Sequence, residues 1–101
     1  MQPLAYVYML TNRHHTVLYV GMTIDLRTRL WEHQQKINAS SFSSRYNLFK
    51  PVYYEGLDSV EAALQRERYI KGKTRKWKEE LIAHTNPDWS DLTEEIMRMD
   101  P

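Results

Sequence analysis

Two β-rich runs, AYVYML (5–10) and VLYVGM (17–22), flank the turn-like stretch TNRHHT. A pair of such runs this close in sequence predicts an antiparallel hairpin. With a loop at Asn12–His15, the register sets Thr11 opposite Thr16, Leu10 opposite Val17, Met9 opposite Leu18 and Tyr8 opposite Tyr19. In that register Tyr8 and Tyr19 share one face, and a one-residue slip would separate them.

A capped helix from Asp25 to about Lys36 follows the hairpin, then a Ser-rich loop over 38–50 and a short strand, PVYYE (51–55). Pro51 fits a strand only at its first position or on an edge. Asp58 and Glu61 have capping-box spacing for a helix to about Lys71, with Gly72 at its C-terminus. Thr74 opens another helix to about His84. The order β-β-α-β-α-α predicts an α+β fold: a small, mainly antiparallel three-stranded sheet flanked by helices. Its 101 residues suit one domain, read as 1–85 with a short acidic tail, 86–101, packing on it.

Composition removes several function classes. The absence of cysteine excludes disulfides and cysteine-ligated zinc. No apolar run approaches the ~20 residues of a membrane span, and MQPLAYVYML lacks the basic start and cleavage site of a signal peptide. The cytoplasm is the default location, no membrane partner is expected, and a monomer is the default state. The net charge of +1 conceals a division. Residues 1–78 carry 13 Lys/Arg against 6 Asp/Glu, whereas 79–101 carry 1 against 7. Arg66, Arg68, Lys71, Lys73, Arg75, Lys76 and Lys78 form a basic run that suits a phosphate backbone or a solvated helix face. Arg45 and Tyr46 in the Ser-rich loop fit either a backbone or base contact or an ordinary loop.

Helical spacing singles out several polar residues. Leu26, Arg29, Leu30 and His33 share one face at ~100° per residue, which sets Arg29 apart from a solvated Arg27. Trp31 borders the stripe and is expected to pack. Val60, Ala63, Leu64 and Glu67 repeat the spacing. A carboxylate drawn toward a core needs a partner. It is either a cation such as Arg29, making a structural ion pair, or a metal or substrate at a cleft. Tyr8, Tyr19, Arg29, His33 and Glu67 together supply the parts of a phosphodiesterase site. Arginine neutralises developing phosphate charge, tyrosine or histidine moves a proton, and one carboxylate is enough for Mg²⁺.

Val7-Tyr8, then Tyr19-Val20-Gly21, then Arg29 and His33 resemble the GIY-YIG nuclease superfamily. EAALQRERYIKG resembles its metal-binding helix, and NPDWSDL resembles the tail of its small single-domain bacterial branch. The first motif reads Val7-Tyr8-Met9, without the namesake glycine. The resemblance implies a divalent-metal-dependent endonuclease acting on nucleic acid, DNA ahead of RNA, with a role in DNA repair or processing. It implies Tyr8 or Tyr19 activating water, Gly21 sparing space at the site, Arg29 stabilising phosphate, His33 near the base or leaving group, and Glu67 holding Mg²⁺ or Mn²⁺. Arg45, Tyr46, Arg66, Arg68, Lys71, Lys73, Arg75 and Lys76 are the expected nucleic-acid contacts. A non-catalytic nucleic-acid-binding module of the same fold is the alternative. A protein-interaction domain whose acidic tail recruits a basic partner is a third reading.

Overall fold

The computed structural model describes residues 2–35 and 46–99. Residues 38–45 of the loop predicted over 38–50, including Arg45, and the last predicted helical position, Lys36, lie outside them. Three strands, β1 (Ala5–Thr11), β2 (Leu18–Thr23) and β3 (Lys50–Leu57), form an antiparallel sheet in the order β2-β1-β3. The helices are α1 (Leu26–Gln35), α2 (Val60–Lys71), α3 (Arg75–Thr85) and the short α4 (Thr93–Met97). No helix among the described residues is long and apolar enough to cross a membrane.

Strand alternation divides β1 between two cores. Ala5, Val7 and Met9 join Val20, Ala63, Ile70 and Ile82 on the face covered by α2 and α3. Tyr8 and Leu10 join Leu26, Leu30, Leu48 and Ile96 on the face covered by α1 and α4. A central strand buried on both sides reads as a nearly continuous apolar run, as AYVYML does. Pro51 sits within β3, an edge strand, beside a register shift at Met9/Leu10.

The hairpin register differs from the expected one by two residues: Tyr8 lies opposite Gly21, and Leu10 opposite Tyr19. The reason is a wider loop, organised by Asn12. Its Oδ1 accepts from the amides of Thr16 (2.8 Å) and Val17 (3.3 Å), so pairing begins only at Thr11 and Leu18. His15 there takes φ 58°. An even offset preserves sidedness, so Tyr8 and Tyr19 still share a face.

Other local expectations shift as well. Ser59, not Asp58, caps α2, accepting from the Ala62 amide at 3.0 Å. Gly72 ends α2 at φ −77°, so no left-handed residue is required. The buried line of α2 is Ala63 and Ile70, whereas Val60 and Leu64 are exposed. At ~100° per residue the buried line is thus rotated away from Val60 and Leu64, and Glu67 lies at its margin, about 40° from Ala63 on the side of Val60. On α1 only Leu26 and Leu30 enter the core. Arg29 stands at the exposed rim, its long side chain carrying the guanidinium outward. Trp31 is 51% exposed and does not pack as expected. Arg27, expected to be solvated, is part-buried, and its Nε is shielded from solvent.

The C-terminal segment is held by Asn86, buried at 7% exposure. Its Nδ2 donates to the carbonyls of Val52 (3.1 Å) and Ser90 (3.0 Å), and its Oδ1 accepts from the Ser90 amide at 3.0 Å. The Leu92 amide bonds the Pro51 carbonyl, Gln34 bonds Thr93, and Tyr54 bonds Glu95.

Candidate active site

Tyr8 is the middle of the site. It projects from the central strand and is 2% exposed. Its hydroxyl lies 2.9 Å from His33 Nε2. Tyr19 reaches it from β2, with ring centroids 6.2 Å apart, and the His33 ring stands edge-on to both tyrosines, at 5.8 and 5.6 Å. These two strands and α1 therefore bring Tyr8, Tyr19 and His33 into one cluster.

Gly21 makes the cluster possible. A Cβ there would lie 2.6 Å from both Cζ and Oη of Tyr8 and 2.9 Å from Tyr19 Cε2. Its role is close approach of two rings rather than backbone freedom, because among the described residues no glycine has positive φ.

Electrostatics bring the remaining two residues in. Burial, the largest cause, pushes the Tyr8 hydroxyl well above the usual tyrosine range. The neighbouring Tyr19 raises it further, both as a charge and by a hydrogen bond; Arg29 opposes and Glu67 adds to the rise. Both charged side chains are thus near enough to act on one buried hydroxyl. Burial also holds His33 below the usual histidine range, helped by Arg29 and opposed by Glu32. Tyr8 is then protonated and His33 neutral at neutral pH. The Tyr8 hydroxyl and Nε2 share a hydrogen bond whose direction follows the imidazole tautomer.

Arg29 and Glu67 do not seal each other. Arg29 makes a loose pair with Glu32 at 3.8 Å and is 50% exposed. Glu67, whose side chain is 17% exposed, pairs with Lys71 at 3.7 Å. The structural ion pair considered between them is not what the side chains form.

The donor set fits a hard divalent cation of low protein demand. Glu67 offers a partly shielded carboxylate that still meets solvent. Among the described residues, no group of three or more His, Cys, Asp or Glu could form a full cage. Mg²⁺ keeps several waters and needs only one or two carboxylates besides phosphate oxygens.

The basic run divides by environment. Arg66 is engaged by Glu55 on β3 beside Tyr53, and Arg75 donates to the carbonyls of His15 (2.6 Å) and Thr16 (3.1 Å) while pairing with Glu79. Both guanidiniums therefore hold the fold together. Arg68, Lys71 and Lys76 are exposed. Lys73 lies 4.4 Å over the ring of Tyr69 and 5.7 Å from that of Trp77. The sequence reading passed over Tyr69, although Tyr69, Lys73 and Trp77 recur at intervals of four. Tyr46 is exposed and lines a cleft of about 580 Å³ with Asn12, Arg13, His14, Gln34, Asn47 and Phe49.

Comparison with known proteins agrees with this arrangement. Residues 4–80 match the family model described as the GIY-YIG catalytic domain. A UPF0213 protein of Syntrophus aciditrophicus (strain SB) is 35% identical over 83 residues, 82% of this chain and 93% of that protein. A UPF0213 protein of Streptococcus pyogenes serotype M5 (strain Manfredo) is 42% identical over 81 residues, covering 78% of this chain and 85% of the relative. The solution NMR structure of the UPF0213 protein BH0048 from Bacillus halodurans shares the fold. Its TM-score is 0.56 at 24% identity, over 89% of this chain and 94% of that one. With its family match spanning most of the residues and the motif tyrosines drawn together around Gly21, the chain belongs to the GIY-YIG family.

Proposed function

We propose that the chain is a divalent-metal-dependent endonuclease that hydrolyses phosphodiester bonds of nucleic acid, DNA ahead of RNA, in DNA repair or processing. The observation that carries this reading is the contact of the Tyr8 hydroxyl with the His33 imidazole beside Tyr19, with the charges of the Arg29 guanidinium and the lone Glu67 carboxylate acting on that hydroxyl. Family membership supports the nuclease class.

Glu67 would hold Mg²⁺ or Mn²⁺. When bound, the ion neutralises charge on the scissile phosphate and lowers the barrier to attack. Arg29, loosely paired and exposed, swings onto the same phosphate and stabilises its developing charge. Tyr19 is the less buried tyrosine and orients the attacking water. As the water's proton reaches the Tyr19 oxygen, Tyr19 passes its own to Tyr8, and Tyr8 passes its own to His33 Nε2. Both hydroxyls end neutral, in keeping with the reluctance of Tyr8 to ionise, and His33 carries the charge. Gly21 keeps the two tyrosine rings in register for this transfer.

The deciding experiment is cleavage of labelled single-stranded, duplex, flap and branched substrates with Mg²⁺ and Mn²⁺, wild type beside Glu67→Ala. Wild type is expected to cut and the variant, folded by circular dichroism, to be inactive. Equal cleavage by both would sink the assignment of Glu67.

A further inference from the structure

Two residues beyond Glu67, Tyr69 turns to the opposite side of α2 and is 51% exposed. What sets Tyr69 apart from other exposed aromatics such as Trp31 is its company. Its surroundings are specific. Trp77, half-buried against the core, stands edge-on to it with centroids 5.7 Å apart and an interplanar angle of 79°. Lys73 holds its ammonium 4.4 Å over the Tyr69 ring, and Arg66 approaches the ring at 5.6 Å. Arg68 and Lys76, both exposed, flank the group along the chain.

We propose that Tyr69, backed by Trp77 and flanked by Lys73, seats one unpaired base of the nucleic-acid substrate. This inference rests on the nucleic-acid reading above and adds a substrate class: strands with a single-stranded segment, such as flaps, loops or free single strands. The chemistry is that of stacking platforms. Any base has a π-face that an exposed tyrosine ring can receive, and cations beside the ring meet the backbone on either side of that base. Lys73 occupies the ring in the free protein. An arriving base takes its place, and the ammonium, on its flexible stem, moves outward to a phosphate. Arg66 stays on Glu55, which fixes one side of the seat. Paired bases within a duplex present no free face, so a duplex would meet only the surrounding cations.

The test is binding without turnover. Fluorescence anisotropy with labelled single-stranded and duplex oligonucleotides of equal length, in EDTA, would compare wild type, Tyr69→Ala, Tyr69→Phe and Lys73→Ala. Tyr69→Ala is expected to weaken single-strand binding about ten-fold, the order of one lost stack, and duplex binding less than two-fold. Tyr69→Phe, which keeps the ring, restores single-strand binding. Lys73→Ala weakens both substrates alike. Unchanged single-strand binding by Tyr69→Ala overturns the proposal. So does an equal loss on both substrates, or failure of Tyr69→Phe to restore binding. Cleavage assays separate this from the nuclease reading. A Tyr69-dependent binder that cuts nothing would remove the enzyme and keep the seat; a cutter indifferent to Tyr69→Ala in the binding assay would do the reverse.

Discussion

The Tyr8 hydroxyl and His33 Nε2, 2.9 Å apart and 25 residues apart in sequence, couple the central strand to the first helix through one hydrogen bond. Tyr8→Phe removes the hydroxyl and nothing else of the ring. On the mechanism proposed here, cleavage falls by about 10²-fold or more, the scale of a lost proton-transfer group. Stability falls by only about 1 kcal/mol, since half-buried His33 can still bond water. Kinetics beside urea denaturation would check both, and a variant that cuts at the wild-type rate removes Tyr8 from the relay.

Gly21→Ala pushes a methyl group against both tyrosines. The nearest atoms, at 2.6 Å, belong to a ring that is itself packed in the core. Overpacking of this kind costs about 1–3 kcal/mol. The expected outcome is a lower denaturant midpoint together with loss of cleavage. Val20, one residue away on the opposite face, makes no contact of this kind with the site, so Val20→Ala should destabilise without disarming a folded enzyme.

Acid should weaken the fold through His33. Its folded pKa lies below the ordinary value of 6.5, first by burial and then by Arg29. The unfolded chain therefore binds the proton more readily, and stability declines as pH falls from about 6.5 toward the folded pKa. Below that value the penalty is complete; above 6.5 it is absent. His15 is shifted in the same direction, so the measurement is the difference between wild type and His33→Gln in urea midpoints across pH 4–8. That difference should change only within this window. Cleavage should show a matching acid limb, because a His33 that is already protonated cannot take the proton passed along the proposed relay.

Two neighbouring arginines should behave differently. Arg66, ion-paired with Glu55 and about a quarter exposed, should cost about 1–2 kcal/mol on truncation to alanine. Exposed Arg68 should cost within about 0.5 kcal/mol. Thermal unfolding of the two variants distinguishes them, and equal shifts would contradict the structural role of Arg66.

Asn86→Ala leaves the Val52 and Ser90 carbonyls without their side-chain donor. A loss of about 2–3 kcal/mol is expected, larger than for a surface asparagine. Limited proteolysis should then cleave earlier near residues 87–92 than in wild type.

Much of this fold is legible in residue patterns. Alternation in AYVYML and VLYVGM, helix caps such as Thr74, and the order of elements follow from local chemistry. The register escaped because Asn12 organises its loop through side-chain bonds that composition does not display. Arg29 illustrates another limit: helical spacing gives an angular position, whereas the depth of burial depends on what α1 packs against. Arg29 shares a helix face with His33, as the spacing expects, and its charge acts on both Tyr8 and His33. The same periodicity singles out Glu67, which is part-buried as that spacing expects, although Val60 and Leu64 on its stripe are exposed. Arg66 and Arg75 could not be told from their solvated neighbours, since Glu55 and the His15 carbonyl reach them only through tertiary structure.

Tyr8 belongs to a strand bonded on both sides, to β2 and to β3. Its amide can exchange with solvent only when the sheet itself comes apart, so deuterium uptake there should proceed at the rate set by global unfolding. A side chain mounted on such a strand cannot be softened separately from its scaffold. Temperature adaptation in this family would have to act on Arg29 and the helix rims, leaving the middle of the sheet as it is.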